Sequence, residues 1–416
     1  MIRTAQDLYT VLVMILSTGA FLTIIIGSNN PSAIQQGSPV YTVLWGMVYA
    51  ISLARFIRQR QRMLRLMGAN RAWVLLVFLC FASASWSINP LTSIHGGVTL
   101  LFTSLFALDM SLRYPLRKQL SLVCIALVTV VALSVVAEVV LPGVVPGRDL
   151  EQSAWHGVFG FKNDFGKMVC LCVIACLACA RRSTALRLAI VATGLTITIL
   201  SRSVSASLYT LAFAGLFKLW DVLKWRPKPR KAALALLALV GVVATQYTVG
   251  NWSHITSLLG KDPHLTGRTE LWRLAIADIR DRPVFGYGYE AFWGAKSQPA
   301  RRIREEIHWD DAPHSHDGYI DFSLSLGMAG LATYCIFYIS VLRRAYLLLM
   351  NGRESYRRFP ITYMVFIFAY QITESSIVVG NAFEWIMLCT LTFSLSAPRV
   401  RRVADVADQS HHAVAA

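Results

Sequence analysis

Long apolar runs separated by short polar stretches dominate the chain. A helix crossing a hydrocarbon core of about 30 Å needs about 20 mostly apolar residues. On that criterion the runs fall at 8–26, 39–55, 72–87, 95–112, 119–141, 162–180, 186–200, 204–220, 232–249, 317–342, 360–379 and 382–397. The pattern predicts about twelve transmembrane helices. Runs 186–200 and 204–220 are short and joined by only three residues, which a helical hairpin accommodates. Any less regular backbone there would leave unpaired N–H and C=O groups in lipid. Met1-Ile2-Arg3 followed by an apolar stretch has the outline of a signal peptide, but the stretch is long and no small-x-small cleavage site comes after it, so it is read as span 1.

Of the connections after odd-numbered spans, two are not short: a modest stretch at 142–161 and a 67-residue loop at 250–316, far too long to serve only as a connection. The domain reading is therefore spans 1–9 over 1–249, the large loop over 250–316, spans 10–12 over 317–397 and a tail over 398–416. Within the loop, Leu271, Leu274, Ala275, Ile276 and Ile279 follow the i, i+3, i+4 spacing of an amphipathic helix over 269–282, stopped by Pro283.

Composition and charge sharpen this picture. The 416 residues are 55% hydrophobic and only 15% charged, against about a quarter charged in an ordinary soluble chain. The net charge of +17 would suggest nucleic acid on a soluble protein, but its distribution argues otherwise. Arginines 55, 58, 60, 62, 65 and 71 lie together after span 2, and further basic groups come after spans 4, 6, 8 and 10. With Arg3 and the tail, 27 of the 40 basic residues fall on one side. The positive-inside rule makes that side cytoplasmic, with both termini there, and no nucleic-acid partner is expected. The eight cysteines all lie within predicted spans, where they read as small apolar side chains.

The polar chemistry gathers at the opposite face. The 250–316 loop holds nine basic and nine acidic residues, with five of the nine histidines. Gly267-Arg268 opens its predicted helix, and a helix N-terminus beside a guanidinium suits a phosphate or diphosphate; a surface Arg paired with Glu270 or Asp262 is the plain alternative. Arg202 is a cation at an outer hairpin, against the charge bias, and reads either as a salt-bridge partner or as an anion-binding group. Lys162 sits at an outer mouth, while Glu138, Asp164, Asp321, Glu374 and Glu384 fall near the outer ends of their spans, where ionisable groups normally face an interior cavity. Pro313-His314-Ser315-His316-Asp317 stands where the loop enters span 10. A neutral imidazole there can take a proton at ambient pH, and a capping role is the alternative. An HxH pair can bind metal, but no third ligand is evident at useful spacing, so no metal is expected. Gly286-Tyr287-Gly288 lacks the βαβ context of a dinucleotide fingerprint. Trp252, Trp272, Trp293 and Trp309 suit either stacking on sugars or an interfacial belt.

Several of these residues together resemble the O-antigen ligase and O-antigen polymerase superfamily. They are Gly267-Arg268-Thr269-Glu270-Leu271-Trp272, then Pro283-Val284-Phe285-Gly286-Tyr287-Gly288, then His316-Asp317-Gly318-Tyr319-Ile320-Asp321 with Leu326-Gly327 and Gly330. Gly160-Phe161-Lys162-Asn163-Asp164-Phe165-Gly166 further resembles the exopolysaccharide polymerase branch. The motifs cover about 160 to 330, and Trp86-Ser87-Ile88-Asn89-Pro90 adds an earlier match.

The resemblance implies an all-α polytopic membrane protein, GT-C-like, with one large, partly helical periplasmic loop, in the bacterial cell inner membrane. It implies a metal-independent, inverting glycosyltransferase without a cofactor, acting at the periplasmic face on a glycan carried by undecaprenyl diphosphate. A polymerase passes that glycan to another lipid-linked repeat unit; a ligase passes it to lipid A-core. By this likeness Arg202 and Arg268 hold the diphosphate, His316 is the catalytic histidine, and Lys162, Asn163, His314 and Asp317 contribute to substrate binding. Asp317 departs from the Asn that commonly comes after the family histidine. A lipid-linked glycan transporter is the alternative from another class, although the paired broken helices of transporters are not evident.

Overall fold

The computed structural model describes residues 2–26, 38–140, 154–180, 183–220, 268–309, 312–352 and 354–397. The expected span 232–249, the Gly267 and Asp262 positions, Trp252 and the tail 398–416 lie outside the described residues. The fold is all-α, with no strand among the described residues. In chain order the helices are α1 (Ala5–Ser17), α2 (Leu22–Ile26), α3 (Pro39–Arg58), α4 (Arg60–Gly68), α5 (Arg71–Ala82), α6 (Pro90–Arg113), α7 (Leu116–Val140), α8 (Lys162–Cys179), α9 (Thr184–Leu200) and α10 (Val204–Leu219). The polar loop then contributes α11 (Arg268–Asp281) and α12 (Gln298–Glu306), succeeded by α13 (Gly318–Met350), α14 (Phe359–Tyr370) and α15 (Phe383–Ala397).

Among the described residues four helices, α3, α6, α7 and α13, are individually long and apolar enough to cross a membrane, or five if the bent pair of α4 with the segment from Arg71 to Ser85 counts as one span. The apolar pattern predicts about twelve, and the difference has local causes. The run 8–26 is not one helix. α1 ends at Thr18, Gly19 and Phe21 adopt left-handed φ values of 73° and 66°, and the Phe21 N–H leaves the helix to donate to the Val158 carbonyl at 2.9 Å. The run 360–379 holds only the 12-residue α14, because 371–382 is irregular. The basic stretch after α3 is itself the amphipathic helix α4, bent by 96° from the segment Arg71–Ser85, with Met63 and Leu66 buried. An arginine-rich helix with one apolar stripe suits the headgroup boundary.

α8 forms the centre of the bundle, packed against α7, α9, α10 and α14. The thiols of Cys124 on α7 and Cys176 on α8 meet at 3.5 Å within that packing. The expected hairpin is present: α9 ends at Ser201, and Ser203 caps α10 by accepting from the Ala206 N–H. At the basic end, Asp109 accepts from Arg55 at 2.8 Å and also from Arg113, so its buried carboxylate is paired twice.

The polar loop is fixed to the bundle by a break in α13. Gly327 has φ 62° and ψ −166°, which interrupts the helical hydrogen bonds and frees carbonyls before it and amides after it. Segment 283–288 supplies the missing partners. The Tyr287 and Gly288 N–H groups donate to the Leu324 and Ser325 carbonyls at 2.8 and 2.9 Å, while the Met328 and Ala329 N–H groups donate to the Pro283 and Val284 carbonyls at 2.8 and 3.1 Å. Buried backbone polar groups are thereby satisfied across two segments. Gly327 is required because a Cβ there would lie 2.3 Å from the Val284 carbonyl group; at Gly286 a Cβ would lie 2.5 Å from the Leu324 oxygen. The Trp86 motif grips the other side, with Trp86 Nε1 donating to the Phe285 carbonyl and the Ile88 N–H to the Tyr287 carbonyl. A small core of Leu271, Leu274, Ala275, Phe292, Ile303 and Leu324 joins α11, α12 and α13 beneath this lock.

Candidate active site

Beyond this lock, 312–317 lies against the irregular segment 371–382. Every polar group of Ser315 is engaged. Its N–H donates to the Asp321 carboxylate at 3.1 Å, its carbonyl accepts from Trp272 Nε1 at 2.8 Å, and its hydroxyl donates to the Asp317 carbonyl at 2.9 Å. His316 takes a left-handed φ of 58°, unusual for a residue with a Cβ and typical of sites where the surroundings impose a conformation. Asp317 is the N-cap of α13, its Oδ1 accepting from the Tyr319 and Ile320 N–H groups at 2.9 Å each. Asn caps as well as Asp, so the Asn expected here from the resemblance would keep the same bond pattern.

His316 is the convergence point. Its Nδ1 lies 3.3 Å from Glu374 Oε2, and a carboxylate only accepts, so the contact selects the tautomer with the proton on Nδ1 and the lone pair on Nε2. That Nε2 is buried and has no hydrogen-bond partner among the described residues. Trp309 stacks on the imidazole, with centroids 5.6 Å apart and planes within 12°. Asn163, at the start of α8, donates from Nδ2 to Glu374 Oε1 at 3.0 Å, and its own Oδ1 accepts from Ser203 Oγ at 3.1 Å. A chain of contacts thus runs Ser203–Asn163–Glu374–His316, oriented as a base and its orienting carboxylate would be.

His314 lies beside this chain, its ring centroid 4.3 Å from that of His316 and its Nδ1 accepting from the His316 N–H at 3.1 Å. Burial, and secondarily the neighbouring imidazole, hold its pKa below the usual histidine value, so it stays neutral and able to accept. Arg268, the first residue of α11, is half-buried and donates from Nη1 to the Thr373 carbonyl at 3.1 Å, one residue from Glu374. It does not pair with Glu270, which is held by Arg273. Arg202 is exposed at the hairpin turn with φ 49°, and no hydrogen bond or ion pair holds its guanidinium among the described residues; its neighbour Ser203 belongs to the same chain of contacts. Lys162 is half-buried beside Asn163 at the start of α8.

The structure therefore brings Asn163, Arg268, His314 and His316 around one short segment, with Lys162 and Arg202 next in sequence to Asn163 and Ser203. Sequence reasoning assigned Glu374 no role and missed Ser203. The signal for Glu374 was present, since an acidic group inside an apolar run demands a partner. Asp164 and Glu384, read alongside it, instead pair with Lys167 at 3.2 and 2.7 Å. The potential ligand atoms of His314, His316 and Glu374 lie within 4.8 Å of one another, so the third metal ligand that spacing along the chain did not reveal is supplied in space.

Known proteins share parts of this chain. The family model described as O-Antigen ligase matches residues 169–335. The exopolysaccharide production protein ExoQ of Rhizobium meliloti (strain 1021) is 29% identical over 217 residues, covering 50% of this chain and 49% of ExoQ, so the chain spans about half the length of the curated relative it matches. Among solved structures, a chain from a peptidoglycan synthase complex aligns at TM-score 0.43 and 13% identity, over 80% of this chain and 98% of that one, below the level at which a common fold is assigned. The motifs and the two sequence matches agree in likening this part of the chain to the O-antigen ligase and polymerase superfamily.

Proposed function

We propose that the protein is an inverting glycosyltransferase that polymerises surface polysaccharide repeat units at the periplasmic face of the bacterial inner membrane. The donor is a glycan on undecaprenyl diphosphate and the acceptor another lipid-linked repeat unit. The observation that carries the reading is His316, held by Glu374, which Asn163 holds in turn, with an unpartnered Nε2 among the described residues, next to an arginine anchored on the same segment. ExoQ supports the polymerase form; the O-Antigen ligase description of the matched region supports the alternative, transfer to lipid A-core.

In the proposed reaction Arg268 and Arg202 bind the diphosphate and offset the charge that grows as the bond from C1 to the phosphate oxygen breaks. His316 Nε2 takes the proton of the acceptor hydroxyl as its oxygen attacks C1 from the opposite face. Glu374 then faces an imidazolium, which it stabilises. The lipid diphosphate departs as an anion and needs no general acid. The scheme uses no metal: activity that persists in EDTA supports it, and loss of activity restored by one divalent ion would transfer the His314–His316–Glu374 cluster to a metal role.

The deciding experiment is the glycan profile of a deletion strain, separated by size and by carrier lipid. Single repeat units with long chains missing mean a polymerase. Long chains stranded on the diphosphate carrier, beside bare lipid A-core, mean a ligase. Repeat units left on the cytoplasmic side would overturn the enzyme reading in favour of transport.

A further inference from the structure

Beside the histidine pair lies a cavity of about 370 Å³, within the range of small-ligand sites. Tyr289, Glu290, Trp293, His314, Asp321 and Ser375 are among its lining residues, whereas Asn163, Arg268 and Glu374 are not. His314 lines the cavity, and its ring lies 4.3 Å from that of His316. The polar groups differ in availability. Asp321 is already engaged, accepting from Trp293 Nε1 at 2.7 Å, from the Ser315 N–H and from the Ser375 hydroxyl. The bond to Trp293 also fixes that indole at the cavity edge.

Glu290 is the carboxylate left over. No cation pairs with it among the described residues, and the proposed mechanism makes no use of it. Two features seat it. Its backbone takes a left-handed φ of 57°, held by flanking bonds in which the Tyr289 N–H donates to Ser83 Oγ and Ser93 Oγ donates to the Tyr289 carbonyl. Gly96 on α6 leaves the space its carboxylate occupies, since a Cβ there would lie 2.5 Å from Glu290 Oε2. The residue as a whole is exposed and lines the cavity, while its carboxylate packs against Gly96, and the partial loss of solvent there raises its pKa.

An aromatic edge, an apolar floor and a carboxyl that no cation pairs among the described residues suit a sugar ring, whose C–H face packs on aromatics and whose hydroxyls bond to acids. We propose that this cavity is the saccharide subsite for the acceptor, with Glu290 hydrogen-bonded to a ring hydroxyl and Trp293 against the ring. The assignment to the acceptor rests on the transferase reading. If His316 is the base, the acceptor hydroxyl approaches from the His314 side while the diphosphate lies with Arg268.

The test uses full-length protein in detergent and oligosaccharides released by partial acid hydrolysis of the producing strain's own surface polysaccharide. Binding is followed by tryptophan fluorescence, and transfer by kinetics with lipid-linked units. For Glu290→Gln we expect oligosaccharide Kd and acceptor KM to rise about 10-fold, as for loss of a charged hydrogen bond, with kcat within about 3-fold. Wild-type affinity should change as pH passes through about 7, and that of Glu290→Gln should not. Unchanged Kd and acceptor KM in the variant would overturn the subsite, and so would a loss confined to kcat. Binding that depends on Glu290 without any transfer by the wild type would support the subsite and sink the transferase reading alone.

Discussion

Two regions carry the motif residues of this chain, and they are built on opposite principles. In the lock between segment 283–288 and the break at Gly327, all the groups in question are backbone, and each finds a partner within 3.1 Å. In the cluster around His316 the groups are side chains and one remains unsatisfied: the buried Nε2 has no partner among the described residues. A region completed by its own hydrogen bonds holds a shape. A region with a buried lone pair left open is suited to receive a proton or a ligand, because such a group costs stability unless something uses it. Glycine and histidine motifs look equally distinctive as letters; the structure separates them by whether their bonds are closed.

That contrast breaks most sharply at His316. Replacing it by Ala should lower kcat by about 10²–10⁴, the usual worth of a general base, with the protein still folded and inserted. His314→Ala should cost less than about 10-fold, since that ring is a neighbour and a cavity wall. Steady-state transfer assays on both purified variants decide the matter, and near-normal turnover in His316→Ala with collapse in His314→Ala would mean that the roles are reversed.

The lock should fail in the complementary way. A side chain at Gly327 meets backbone atoms of Val284 that cannot swing aside, in a conformation costly for any residue with a Cβ. Gly327→Val should lose about 3 kcal/mol or more of stability, seen as low yield and early thermal unfolding, while the fraction that folds keeps its activity per molecule. A variant with ordinary yield but no activity would place Gly327 in the chemistry and erase the distinction.

Much of this organisation can be read in the sequence, for reasons that also mark where reading stops. The polar-loop helix expected over 269–282 is observed as Arg268–Asp281, because its apolar spacing and Pro283 are local signals. The hairpin at 201–203 is legible from hydropathy and chain length alone. By contrast, Ile377, Val378 and Val379 prolong an apolar run beyond Tyr370 although the helix has ended. Hydropathy records that they are apolar but not that they line a cavity. What ends the helix is tertiary: the Gln371 carbonyl accepts from the Gly318 N–H at 2.7 Å and its side chain bonds Ser376. Glu374 stayed without a role for the same reason, since its partners Asn163 and His316 are distant in sequence.

Arg268 belongs to both regions, as a helix start in the polar loop and as a cation beside Glu374. Arg268→Lys keeps the charge but loses the planar fork that can grip a diphosphate on two sides and bond Thr373. A loss of about 3–10-fold in kcat/KM is expected. Full activity in a titration with lipid-diphosphate donor would remove the reason for assigning it to the leaving group.

Glu290 gives the smallest effect and the finest distinction. It sits two residues beyond the lock, in a backbone conformation as constrained as the lock itself, yet its side chain opens on the cavity like the groups of the site. Partial loss of solvent raises its pKa from the ordinary 4.5 to about 7. The folded protein therefore holds a proton there that the unfolded chain releases between those values. Linkage sets the sign: this contribution to stability is fully present below pH 4.5 and is lost as pH rises through about 7. Glutamine mimics the protonated acid and never ionises. Because Glu290 is exposed and solvent screens the effect, Glu290→Gln should match the wild type in thermal midpoint near pH 5 and exceed it only slightly at pH 8. Equal midpoints at both values would show that the carboxylate is as well solvated when folded as when unfolded. It would then belong to the open surface, as a group that neither the lock nor the cavity confines.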